Sequence, residues 1–215
     1  MTSEVWFLII ISLVIFNYLF SNILDYLNHK NWKDEIPLEL KDFYDKKKYK
    51  KAKLYAISKN KIGLLSSTTS FLFIVSLLVF NGYGYIDQYV NSFSLNLFLP
   101  FEINISFIQS GFFFLILFTL NSIISIPFSY YNTFVIEENF GFNKTTKSTF
   151  FFDIIKSSII SILIVGALLF LALYLYNNLN DGFWLYLWIG LSLLIVFINM
   201  FYADLIVPIF NKLTP

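Results

Sequence analysis

The sequence predicts an all-α, polytopic membrane protein with five transmembrane helices, and three observations carry that prediction. Five apolar stretches recur along the 215 residues, each near the twenty or so that cross about 30 Å of hydrocarbon as a helix. They are continuous rather than alternating, which favours helices over a barrel, because a helix satisfies its own backbone where lipid offers no partner. All fifteen basic residues are lysines, and all fall on one side of the resulting topology. A composition of 57% hydrophobic and 13% charged residues places the chain among membrane proteins rather than soluble domains.

The first apolar run, residues 5–24, follows the acidic stretch MTSE where a secretory leader would be basic. No small-residue cleavage site follows it, so it is expected to remain as a span. Residues 25–61 hold eleven lysines, and the stretch IPLELKDFYDKKKYKKAKLYAISKNKIG reads as helical. Pro37 suits a first turn, Glu39 a dipole-favoured position, and Leu40, Phe43 and Tyr44 an apolar face opposite the lysines. Two dispositions are open: a basic amphipathic helix lying on anionic headgroups, or a continuation of the second span out of the membrane.

The second span is residues 62–80. Residues 81–106 hold Gly82, Gly84 and Pro100 among aromatics and read as an interfacial connection without chemistry. The third span, 107–128, is expected to end or kink at Pro127. In the loop 129–149, EENFGFNKTTKST breaks the greasy texture. Gly141 permits a backbone conformation closed to other residues, and Asn143 or Ser148 can cap the helix that follows. Residues 154–176 and 183–201 are the last two spans.

Eleven lysines lie between Lys30 and Lys61, and the others are Lys144, Lys147, Lys156 and Lys212. The connections on the other side hold Asp87, Glu102 and Asp181 and no lysine. The positive-inside rule then predicts the N-terminus outside or luminal and the lysine-rich loops 25–61 and 129–149 in the cytoplasm. Polar rows at helical spacing accompany this: Asn17, Ser21 and Asp25; Ser66, Thr69 and Ser70; Asn121, Ser125 and Ser129; Asp153, Ser157 and Ser161; Ser192 and Asn199, with Asp204 beyond. Such rows either let helices approach and hydrogen-bond one another, or line a wet cavity.

The sequence contains no cysteine and therefore no thiolate metal site. His29 is the single histidine and reads as a solvated loop residue beside Lys30. Glu137 and Glu138 are adjacent, so on a helix they point about 100° apart and make a poor acid/base pair; capping, solvation or pairing with Lys144 is expected. No phosphate-binding glycine loop, nucleophile with a base, or aromatic-interleaved basic stripe is present, so no nucleic-acid partner is expected.

Three stretches carry a family resemblance: FSYYNTFVIEENFGFNKTTKSTFFFDIIKS at 128–157, IPLELKDFYDKKKYKKAKLYAISKNKIGLLSS at 36–67 and ADLIVPIFNKLTP at 203–215. Together they resemble the N-terminal membrane region of type 1 CAAX prenyl proteases, which are integral-membrane zinc metalloendopeptidases. The family pattern usually has Pro where this chain has Lys147. The resemblance implies that residues 1–215 are an N-terminal transmembrane domain, its five helices part of a seven-helix bundle around a water-filled chamber. It also implies partners: the lipid bilayer, a C-terminal zinc protease domain and a peptide substrate cut at its C-terminus.

A zinc protease needs two histidines one helical turn apart with a glutamate between them, and one histidine cannot supply that. In the family the HExxH motif lies beyond the stretch ending at Pro215, so no catalytic or metal-binding residue is expected in this chain and zinc is expected only in the full-length protein. A fragment or natural truncation of this kind is expected to be inactive alone. Glu137, Glu138, Phe140, Gly141, Phe142, Asn143, Lys144, Pro208, Phe210, Asn211 and Lys212 are the motif residues expected to contact the catalytic domain or chamber. Asn121, Ser125, Asp153, Ser157, Asn199 and Asp204 are expected to line the chamber. The membrane would be a bacterial plasma membrane or endoplasmic reticulum. The rival reading is a non-enzymatic small membrane protein, a transporter subunit or an assembly scaffold.

Overall fold

The structure is a computed structural model and describes residues 2–32, 35–36, 45–92, 105–179 and 182–210. Every regular element among the described residues is helical. The helices are α1 (Ser3–Lys30), α2 (Lys46–Val79), α3 (Gly82–Ser92), α4 (Ile105–Tyr131), α5 (Glu138–Phe140), α6 (Lys147–Asn178), α7 (Phe183–Phe201) and α8 (Val207–Phe210). A π-helical turn, Asn132–Glu137, joins α4 to α5, and a second, Tyr202–Ile206, joins α7 to α8. Among the described residues, five helices are long and apolar enough to cross a membrane, as the five apolar runs predict. Several of them overrun those runs, because lipid sets only the length that must be apolar, whereas backbone hydrogen bonding continues until a cap stops it.

Residues 46–61 of the basic segment fall in α2, and this part follows the second disposition. The 34 residues of α2 measure roughly 51 Å, well beyond the hydrocarbon thickness. Residues 46–61 are therefore the second span prolonged out of the apolar layer, not a separate helix on a surface. Pro37, Glu39, Leu40, Phe43 and Tyr44, which carried the amphipathic argument, lie outside the described residues. Asp45 starts α2 by accepting the Lys48 amide at 2.7 Å. That hydrogen bond, with the nearby lysine charges, holds the Asp45 carboxyl below its ordinary value.

The chain forms two compact units: Met1–Phe93 with Ile116–Lys144, and Ser94–Leu115 with Thr145–Pro215. In the first, Tyr18 of α1 stacks on Phe71 of α2 at 4.1 Å and shares a 2.8 Å hydrogen bond with Thr68. Near the start of α2, Trp32 meets Tyr49 edge-on and its carbonyl accepts from Lys53. The chain turns from α2 into α3 so tightly that a Cβ on Gly82 would sit 3.0 Å from the Leu77 Cα. In the second unit, Phe107 and Phe170 pack at 5.5 Å, and Tyr176 meets Phe183 edge-on across the α6–α7 connection.

The structure refines three local expectations. Residues 82–92 of the expected interfacial connection are helical, with Val90 buried and Tyr85 and Tyr89 exposed, an amphipathic arrangement suited to an interface. Of the two outcomes expected at Pro127, ending α4 is not the one seen: the proline removes one backbone donor, but the helix continues four residues past it before the π-helical turn. The cap of α6 is Thr146, whose hydroxyl accepts the Thr149 amide at 3.2 Å, rather than Asn143 or Ser148.

Among the described residues only Tyr49, Val90 and Ile136 are buried apolar or aromatic side chains. Phe16, Leu163 and Leu193 are 63%, 67% and 66% exposed, and none of the five spanning windows is buried. Apolar surface on this scale is what a lipid solvent covers.

Candidate functional site

The segment following α4 is built as a fixed platform. α5 ends in a Schellman arrangement: Gly141 takes φ of 76°, its amide donates to the Glu138 carbonyl at 3.0 Å, and the Phe142 amide donates to the Glu137 carbonyl at 2.8 Å. The Asn143 amide also reaches the Glu137 carbonyl, and its side chain donates to Glu138 Oε2 at 2.7 Å. Helix carbonyls that would otherwise be orphaned are thus satisfied within the turn.

Two residues of α2 hold this turn in place. Lys59 Nζ lies 3.0 Å from Glu137 Oε1, and Asn132 Nδ2 donates to the same oxygen at 3.3 Å. Asn132 is oriented by that bond, which leaves its buried Oδ1 without a hydrogen-bond partner. One turn earlier on α2, Tyr55 meets the rings of Phe140 and Phe142 edge-on, at 5.3 and 5.0 Å. Lys51 lies 5.4 Å from the Phe142 ring centroid and Lys59 5.6 Å from that of Tyr55. Phe142 nevertheless remains 54% exposed, and Gly141 and Lys144 are exposed beside it. Beside this platform, α2 and the α4–π junction enclose a cleft of about 570 Å³.

In the second unit Lys156 of α6 donates to the Ile209 carbonyl at 3.1 Å and lies 5.9 Å from the Phe210 ring centroid. It also stands 3.7 Å from Asp153 Oδ1, an ion-pair distance beyond hydrogen-bond reach, so that buried oxygen has no hydrogen-bond partner. Lys156 thereby fixes α8, the segment that contains Pro208 and Phe210.

The sequence matches the family described as CAAX prenyl protease N-terminal, five membrane helices, over residues 25–212. The chain belongs to that family. It is 32% identical to the mouse CAAX prenyl protease 1 homolog over 180 residues, 84% of this chain and 38% of that protein. It is 31% identical to the Dictyostelium discoideum homolog over 214 residues, 98% of this chain and 49% of the relative. Among solved structures it resembles the crystal structure of S. mikatae Ste24p, with a TM-score of 0.81 at 27% identity, covering 98% of this chain and 49% of that one. The chain spans less than half the length of these relatives.

Among the described residues of the chain, no zinc-ligand set is assembled. His29, its single histidine, sits half-buried in the last turn of α1, and no three His, Cys, Asp or Glu side chains converge among the described residues.

Of the motif residues, the platform brings together Glu137, Glu138, Phe140, Gly141, Phe142 and Asn143; Pro208 and Phe210 stand in the other unit, and Asn211 and Lys212 lie outside the described residues. Glu137 pairs with Lys59 rather than Lys144, and Glu138 with Asn143. The polar-row residues mostly turn back on their own helices: Ser125 donates to the Ser122 carbonyl, Ser157 to Ile154 and Asn199 to Ile195. Asn121 and Asp204 are exposed, and Asp153 is half-buried beside Lys156. Sequence reasoning missed Tyr55, Lys59 and Lys156. Tyr55 and Lys59 share a helix face with i, i+4 spacing, but nothing local shows that their partners lie more than eighty residues away in the first case and 78 in the second.

Proposed function

We propose that this chain forms the membrane-embedded wall of a CAAX-type zinc metalloendopeptidase that cleaves prenylated or other membrane-associated C-terminal peptides. The observation that carries the reading is the family match through residues 25–212, which includes both turns that α2 and α6 hold in place. Residues 1–215 act as the transmembrane domain, with the lysine-rich loops 25–61 and 129–149 in the cytoplasm and the N-terminus outside or luminal. The exposed edge of the platform, from Glu137 to Lys144, and the segment containing Pro208, Phe210, Asn211 and Lys212 dock the metal-bearing part of the enzyme. Asn121, Ser125, Asp153, Ser157, Asn199 and Asp204 face a water-filled chamber completed by two further helices. The self-satisfied hydroxyls of Ser125 and Ser157 and amide of Asn199 suit that position, since such groups can face water without requiring a partner on a neighbouring helix.

No proteolytic step follows from the residues present, and the chain alone is inactive in this reading. The test is cleavage of a farnesylated C-terminal peptide in the presence of zinc. The purified 215-residue chain should show no turnover, and its fusion to the metal-bearing half of a relative should restore it. Metal-dependent turnover by the 215 residues alone would refute the reading, as would a correctly inserted but inert fusion.

A further inference from the structure

The cleft beside the platform is sorted by depth. Ile62 and Leu65 begin the apolar run of the second span, and Pro127 and Phe128 end that of the third, so all four lie at the edge of the hydrocarbon on the lysine-rich side. Ser58 and Lys61 line the same cleft one helical turn above them, outside the apolar run. Lys61 is exposed. No carboxylate among the described residues pairs with it, whereas neighbouring Lys59 is committed to Glu137. An apolar slot at the membrane edge with an uncommitted ammonium at its mouth matches an amphiphile that carries hydrocarbon below and negative charge above. A soluble anion would leave the apolar walls unfilled, and a zwitterionic headgroup would give Lys61 no net counter-charge.

We propose that this cleft binds one anionic phospholipid, its phosphate against Lys61 and an acyl chain along Leu65, Pro127 and Phe128. The volume of about 570 Å³ falls among pockets that hold a single small ligand, which suits one chain in the cleft with the other left in the bilayer. The site does not rest on the proteolytic reading, since it needs only α2, the segment from α4 to α5 and a membrane.

The test is native mass spectrometry of the detergent-purified 215-residue chain titrated with phosphatidylglycerol or with phosphatidylcholine of identical chains, and with inorganic phosphate as competitor. One phosphatidylglycerol per chain should be retained where phosphatidylcholine is lost, and inorganic phosphate should not displace it. Lys61→Gln should weaken retention about fivefold, the effect of one basic side chain near an anionic surface. Lys47→Gln, about 21 Å away along the helix, should leave it unchanged. Leu65→Trp, which fills the cleft, should abolish it, with circular dichroism checking that the variant is helical; if it is not, the two lysine variants decide. Equal retention of both lipids, displacement by inorganic phosphate, or equal weakening by the two lysine variants would overturn the site. So would undiminished retention in a folded Leu65→Trp chain, which would mean that the headgroup alone is held or that polypeptide fills the slot.

Discussion

The segments that follow α4 and α7 leave their spans in parallel fashion, each through a π-helical turn, Asn132–Glu137 in one case and Tyr202–Ile206 in the other. Both then run into the same tripeptide in the sequence, Phe142 to Lys144 and Phe210 to Lys212. They are held by different means. After α4, a carboxylate within the turn meets an ammonium on α2, and two rings within the turn meet a ring on α2. After α7, the ammonium of Lys156 meets a main-chain carbonyl, with only the Phe210 ring as a side-chain partner. The first contact is written in side chains on both partners and can be broken from either. The second is written mainly on one partner, because any residue at position 209 offers a carbonyl and only the Phe210 ring adds a side chain.

Tyr55→Ala should have the largest effect on this contrast. It removes two edge-to-face contacts and the packing around them, and should lower stability by about 2–3 kcal/mol in thermal unfolding of the detergent-solubilised chain. Glu137→Ala should follow, at about 1–2 kcal/mol. The ion pair itself is partly exposed and screened, but its loss also removes the Asn132 hydrogen bond and leaves Lys59 unpaired. A double-mutant cycle with Lys59→Ala should return a coupling of about 0.5–1 kcal/mol. The equivalent cycle between Lys156→Ala and Phe210→Ala should return roughly half of that, through the cation–π contact alone. Equal couplings would erase the distinction between the two turns.

Gly141→Ala should cost about 1–2 kcal/mol, because its φ of 76° is strained for any residue with a Cβ although nothing crowds the position. Amide exchange of residues 142 and 143 should quicken in that variant while residues 207–210 are unchanged. The smallest effect belongs to acid. The Asp45 carboxyl is held below its ordinary value of 3.8 by the Lys48 amide, so its capping contribution is complete above that pH and is lost as pH falls through the lowered value. Backbone chemical shifts of residues 46–49 should move toward coil below about pH 3.8, with those of residues 55–59 unaffected.

The spans were legible because hydrocarbon imposes a length and a composition that local sequence must meet. Gly141 was legible for a related reason: a positive φ is a single-residue demand. The continuity of α2 was not, since lysines tolerate both a surface helix and a projecting one, and only packing of Tyr49 and Tyr55 against other elements selects the second. The pairing of Glu137 went to Lys59 instead of Lys144 for the reason that defeats sequence reading in general: proximity along the chain is visible, and proximity across 78 residues is not. The polar rows were visible as rows, but their back-bonding to Ser122, Ile154 and Ile195 depends on rotamers that no spacing reveals.

α2 has no break between its Asp45 cap and Val79, so its two ends must move as one stiff rod. A swing of about 5° about its far end would carry Lys46 roughly 4 Å sideways. Anything that grips the lysine-bearing tip therefore has mechanical leverage on the contacts that Tyr55 and Lys59 make further down, without touching them.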